Sequence, residues 1–178
     1  MRHKQKRGMA SMLETDGQLG EGVNALIKEA VMNSEQNKQV AMRGYQCFKN
    51  GDIRGIQDLC ADDVQWASPE SEYVPFSGLF RGKDGVRDVL TNMSQSIEMT
   101  QFEPQTFIAE GDKVAVVGVS RGTVRATGNS YENSWVHVFT FKDGKVSRFD
   151  AFGDTAATID AFRPSQGARQ QSGDAARH

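Results

Sequence analysis

The sequence is poor in the features that mark several common protein classes. Only two of its 178 residues are cysteines, Cys47 and Cys60. Both fall inside predicted helices, which argues against a disulfide framework or a cysteine-based metal cluster and fits a reducing compartment. They read as small buried side chains. The formal net charge is −2 and the pI about 5.9, so no overall basic field exists to capture phosphates, and nucleic acid is not an expected partner. No stretch approaches the roughly 20 apolar residues of a membrane span. Nor does an apolar run of signal-peptide length follow the basic leader MRHKQKRGMASM, so a soluble, cytoplasmic protein is expected and the leader is read as a solvated charge run. The length suits one domain with a real core and loose ends, rather than two ordinary domains.

Apolar periodicity supplies the elements. Leu19, Val23, Leu26, Ile27 and Val31 fall at helical spacing and predict a helix over 19–32, inside an otherwise partly disordered extension, residues 1–33. Ser34 reads as the N-cap of a second helix, whose stripe is Val40, Gly44, Cys47 and Phe48 and which Asn50-Gly51 ends. Asp52 caps a short helix through Ile53, Ile56, Leu59 and Cys60, and a strand follows with Val64, Trp66 and Ser68 on one face. Two of the four prolines, Pro69 and Pro75, lie in the aromatic stretch 69–83, which reads as a loop folding over something apolar, a lid candidate. Val86, Val89, Leu90, Met93 and Ile97 make the clearest amphipathic helix.

From Gln101 onward the texture is β, with strands predicted over 102–110, 113–127, 129–142 and 145–153, separated by Gly111-Asp112, Gly128-Asn129 and Asp143-Gly144. Asp154 caps a last helix, Thr155 to Phe162, and 163–178 reads as a disordered polar tail. Residues 34–162 thus form one α+β domain: a cone-shaped, curved antiparallel β-sheet with three to four helices packed on its concave face. Strands this long require bends or bulges, since ordinary strands run about 5–6 residues.

Candidate chemistry converges on 135–154, WVHVFTFKDGKVSRFDAFGD. Here His137 is the one side chain suited to give or take a proton near neutrality. A two-residue turn at Asp143-Gly144 would set His137 opposite Asp150 on one face, while a turn with a bulge at Gly144 would set it opposite Phe149 and send Asp150 to the other side. Both pairings stay open, with His137 and Asp150 as the catalytic candidates. Tyr45, Trp66, Tyr73, Phe76 and Trp135 would line or close the cone, together with Phe48, Ser68, Val89, Val116, Gly118 and Phe149. Arg81, Arg121 and Arg148 read as solvated charges. Asp62-Asp63 reads as strand-entry and capping chemistry, since a pair of acids without further ligands makes a poor metal site.

The element order and the strings NGD, ADDVQW, GLFRGKDGV, FTFKDGKV and DTAA, spread over about residues 34–162, resemble the SnoaL-like branch of the nuclear-transport-factor-2-like superfamily. That resemblance implies the cone fold, no cofactor and a homodimer paired through the open face of the sheet. Ketosteroid isomerases, relatives in this superfamily, use an aspartate base with a tyrosine and a protonated aspartate as donors. Those positions match Ser68, Gly44 (with Tyr45 one residue away) and His137 here, which speaks against steroid isomerisation. Polyketide cyclases of the branch work with a histidine and an aspartate from the last two strands; His137 fits the first, and the second falls at Ala151 or Asp150. The pocket parity of the family favours the bulged turn.

Two functional readings follow. One is a cofactor-independent acid/base enzyme of isomerase, cyclase, dehydratase or hydratase type, acting on a small hydrophobic carbonyl compound. The other is a non-catalytic small-molecule-binding or dimerisation module of the same fold.

Overall fold

Glycine turns organise the C-terminal half of the chain. Gly111, Gly128 and Gly144 all adopt a positive φ, the left-handed backbone that reverses a strand with least strain. The computed structural model describes residues 4–164, with side chains described at residue 20 and from residue 22 onward. The chain runs α1 (Lys4–Lys49), α2 (Ile53–Leu59), β1 (Cys60–Ser68), β2 (Gly78–Arg81), α3 (Gly82–Ser96), β3 (Ile97–Glu110), β4 (Lys113–Val124), β5 (Ser130–Lys142), β6 (Lys145–Gly153) and α4 (Thr155–Phe162). The strands make one open six-stranded sheet in the order β2-β1-β6-β5-β4-β3.

Capping fixes the short helices as their sequences suggest. Asp52 accepts from the Gly55 amide at 2.8 Å to start α2, and Asp154 from the Ala157 amide at 2.9 Å to start α4. Gly51, at φ 69°, ends α1 in the left-handed conformation. In α3 the buried side is Gly85, Val86, Val89 and Leu90, with Asp84 in the first turn complementing the helix dipole.

Three features depart from expectation. First, α1 runs without interruption through Ser34 rather than beginning there. The Ser34 hydroxyl donates to the Ala30 carbonyl at 2.9 Å, the back-bond available to a serine inside a helix, and nothing between 19 and 34 breaks the helical path. The Asn37 amide donates to the Gly111 carbonyl at 3.2 Å, tying the helix to the β3–β4 turn. Val23, Leu26, Ile27 and Val31 are exposed before that point and do not pack on the domain. Second, the loop expected over 69–83 contains the edge strand β2, which pairs Ser68 with Gly78 and Trp66 with Phe80. Phe80 turns toward the core and Leu79 toward solvent, the alternation of a strand. Third, β1 lies parallel to β6 while all other pairs are antiparallel, so the sheet is mixed. Docking β1 there lets Trp66 stack on Phe149 at 3.8 Å.

The core lies between the concave face and the helices. Val64, Val86, Val89, Val114 and Val116 are almost wholly buried, each contributing about 1.5–3 kcal/mol on removal from water. A second cluster, Val74, Ile97, Val124, Ala161 and Phe162, closes one end of the sheet. The strand β3 bends at irregularities beside Thr100 and Gln105, next to Pro104, which an edge strand tolerates. On the open face Ile108, Val117 and Phe152 are exposed. Of the tail expected over 163–178, residues 165–178 lie outside the described residues. No described helix is long and apolar enough to cross a membrane.

Candidate functional site

Inward positions of β4 alternate Gly118, Ser120 and Gly122, facing Trp135, Asn133 and Tyr131 of β5. The two glycines make room for aromatic rings. A Cβ at Gly118 would collide with the Trp135 indole and sit 2.5 Å from the Glu103 carbonyl oxygen, and one at Gly122 would sit 2.9 Å from the Tyr131 ring. Two residues beyond Trp135, His137 projects from the same face, its ring stacked on the indole at 4.0 Å and 15°. From above, α1 delivers Tyr45, whose hydroxyl lies 2.9 Å from His137 Nδ1. The rings of Phe102, Phe107 and Phe139 pack around Tyr45 at 5.7–5.9 Å, and Phe149 packs on the imidazole at 4.8 Å.

This enclosure sets the electrostatics. Burial pushes the His137 pKa down to about 3 and the Tyr45 phenol well above its ordinary value, so both groups are neutral near pH 7. The imidazole nitrogen facing Tyr45 is therefore part of a hydrogen bond between uncharged groups. When the phenol donates, Nε2 carries the imidazole proton.

A cavity of about 200 Å³ opens beside these residues. Its wall includes Tyr45, Phe48, Trp66, Ser68, Phe76, Val89, Trp135, His137 and Phe149, all expected there. Three expected residues stand elsewhere. Val116 is buried beneath the wall, Gly118 is covered by the Trp135 ring, and Tyr73 lies in the outer layer with the Arg163 guanidinium 5.3 Å above its ring. Sequence reasoning missed Phe102, Phe139, Ser120, Tyr131 and Asn133, and the α4 residues Thr158 and Ile159. The alternation of β4 and β5 carries a signal for Ser120, Tyr131 and Asn133, which share the parity of Gly118 and Trp135; α4 carries none. The 69–77 loop does fold over the apolar end. The Ser77 hydroxyl holds it closed, lying 2.9 and 2.8 Å from the Ser71 and Val74 carbonyl oxygens and sharing its one proton between them, and Phe76 packs edge-on against Phe162.

Asp150 is the principal correction. Lys142 pairs with Lys145 across a two-residue turn in which Asp143 and Gly144 both have positive φ, as the first pairing required. An extra residue, Ser147, then bulges out between the pairs Phe141–Val146 and Thr140–Arg148, so His137 faces Ala151 rather than Asp150 or Phe149. The cause is apolar burial: Val146 and Phe149 are three apart and can both face the core only with one residue inserted between them. Asp150 pairs with Val138 on the open face and takes two hydrogen bonds from Arg148, at 2.6 and 2.7 Å. It does not belong to the cavity.

A curved open sheet around a histidine-bearing apolar cavity can be compared with known folds. Residues 41–149 match the family profile described as SnoaL-like domain. The chain belongs to the SnoaL-like family. An NTF2-like protein from Burkholderia xenovorans LB400 is 29% identical to this SnoaL-like chain, covering 73% of it and 98% of its own length at a TM-score of 0.68. An NTF2-like protein of unknown function from Burkholderia pseudomallei K96243 is also 29% identical, covering 71% and 97% at a TM-score of 0.66. TerC, in a structure co-crystallised with polyporic acid, is 29% identical, covering 71% and 98% at a TM-score of 0.65. No curated protein matches the chain by sequence. Within this SnoaL-like domain, Ser68 lines the cavity, and Tyr45 rather than Gly44 is the helix residue that reaches the histidine.

Proposed function

We propose that the cavity binds a small hydrophobic carbonyl compound and that His137 acts on its oxygen, in cofactor-independent chemistry of the isomerase or cyclase type. The observation that carries this reading is the 2.9 Å contact between the Tyr45 hydroxyl and His137 Nδ1 on the wall of an apolar cavity. A neutral imidazole braced in this way offers its Nε2–H to an oxygen that gains negative charge, as an oxyanion donor does, and such a donor is worth roughly 10²–10³ in rate. Among the described residues no carboxylate is hydrogen-bonded to the imidazole. The one acid on the cavity wall is Asp154, whose carboxylate accepts from the Ala157 amide at the start of α4. The co-crystallisation of the relative TerC with polyporic acid agrees with small-molecule occupancy of this fold.

The test is deuterium exchange at the carbon next to the carbonyl of 1-tetralone. The wild-type protein should accelerate it, and His137→Gln should remove at least tenfold of that acceleration while far-ultraviolet circular dichroism shows the variant still folded. An equal rate in the variant would eliminate the oxyanion-donor role. It would leave the second reading, a non-catalytic binding module, which Ser68 at the base position favours. We further propose a cytoplasmic homodimer joined through the open face around Val117 and Phe152, whose exposed apolar side chains need cover. A Val117→Glu chain should then run as a monomer in light scattering where the wild type runs as a dimer; an unchanged mass would rule out that interface.

A further inference from the structure

A second space, about 610 Å³ in volume and so within the range of small-molecule pockets, opens between the C-terminal end of α1, α2, the last turns of α3 and the edge strand β3. Phe48 and Phe102, packed at 4.8 Å, line both spaces, whereas Tyr45 and His137 line the first alone. Buried Ile56, Leu90 and Ile97 form the floor of this groove.

Its walls suit a flexible apolar chain. At Thr100 the register of β3 slips by one residue, so Met99 and Phe102, three apart, both turn inward to the groove. Met93 reaches it from α3. Methionine side chains are unbranched and polarizable and adapt to partners of no fixed shape. The rim carries the charge. Lys49 is the one charged residue of the lining; it is exposed, and it takes part in no ion pair among the described residues. A carboxylate held there would gain a cation while keeping its contact with water, so it would avoid the cost of a buried charge.

We propose that this groove is a second binding site, separate from the cavity of His137, and that it takes an anionic amphiphile of fatty-acid type. The alkyl chain lies along Met93, Met99 and Phe102, and the carboxylate meets the Lys49 ammonium at the rim. Chain burial supplies the affinity, at about fourfold per buried CH2, and Lys49 supplies the choice of head group, since an exposed ion pair is worth up to about fivefold. Nothing in this site depends on chemistry at His137, so either reading can fail alone.

The experiment uses full-length protein with 13C-labelled methionine methyl groups, titrated with decanoate, octanoate and decyltrimethylammonium below their micellar concentrations. Decanoate should shift the Met93 and Met99 methyl signals and leave the His137 ring signals in place. Octanoate should bind about tenfold more weakly, having lost two CH2 groups, and decyltrimethylammonium at least about threefold more weakly than decanoate. Lys49→Glu, a change at an exposed position, should weaken decanoate by at least about threefold and tighten the ammonium. Movement of the His137 ring signals, or no binding of decanoate, would overturn the second site. Equal affinities of decanoate and octanoate would overturn the burial of the chain. Equal affinities of decanoate and decyltrimethylammonium, or an affinity for decanoate unchanged by Lys49→Glu, would overturn the pairing with Lys49. The chain-length and head-group comparisons need no variant, so they decide the matter even where a substituted chain does not fold.

Discussion

The Tyr45 hydroxyl lies 2.9 Å from Nδ1 of His137, a contact that spans 92 positions of sequence and joins the C-terminal part of α1 to the middle of β5. It is at once a tertiary tie and the brace of the candidate catalytic group. Tyr45→Phe keeps the ring among Phe102, Phe107 and Phe139 but leaves the imidazole nitrogen buried without a partner. Stability should fall by about 1–3 kcal/mol in urea unfolding, with the loss of one buried hydrogen bond. The His137 ring resonances should broaden as the ring gains freedom.

Acid should destabilise the fold through His137. The imidazole titrates at about 3 in the folded state, against about 6.5 in an unfolded chain. Above pH 6.5 it is neutral in both states and has no effect. Between 6.5 and 3 only the unfolded chain takes up the proton, so stability falls as pH falls, at up to about 1.4 kcal/mol per pH unit. His137→Gln should flatten the profile of unfolding free energy in that window. A wild-type slope unchanged by the variant would assign the acid sensitivity to other groups.

Gly118 has little alternative. Alanine there meets both the Trp135 ring and the Glu103 carbonyl. Overpacking of this kind costs about 1–3 kcal/mol. Gly118→Ala should lower the melting temperature and change the near-ultraviolet circular dichroism of the tryptophans, because the indole must move. The same ring movement should weaken binding of aromatic compounds in the cavity.

Asp150 should be dispensable for binding. Its partner Arg148 is about half exposed, and a pair in such a setting contributes up to about 1 kcal/mol. Asp150→Asn should leave the affinity of cavity ligands within twofold of wild type in calorimetry. A tenfold loss would contradict the placement of Asp150 on the open face.

Much of this fold is legible from periodicity and punctuation. Val86, Val89, Leu90 and Met93 mark α3, and Asp52 and Asp154 mark the starts of two helices, because helical spacing and capping act within a few residues. His137 is identifiable by its chemistry. The parallel pairing of β1 with β6 is not legible, since it depends on which free edge is available once the hairpins have formed. Ser34 misleads because serine serves both as a cap and, by bonding back to the Ala30 carbonyl, as an interior residue. The Asp150 pairing fails for a subtler reason: strict alternation along β6 ignores that Val146 and Phe149, both apolar, cannot share a face without an inserted residue. The α4 part of the wall has no local signature, because only the three-dimensional path brings Thr158 and Ile159 to the cavity.

The bulge at Ser147 acts as a phase shifter. Everything after it on β6 is displaced by one pairing position relative to the turn, and that displacement decides whether an acid or an alanine stands across from His137. Were Ser147 to pair with Thr140 instead, Asp150 would stand beside the imidazole, but Arg148 would be carried inward and Phe149 outward, off the Trp66 ring. What holds the present phase is therefore the order of two neighbours, a charged residue at 148 and an aromatic one at 149. Chains of this shape and length can thus gain or lose a histidine–carboxylate pair by exchanging those two side chains, with no acid ever being created or destroyed.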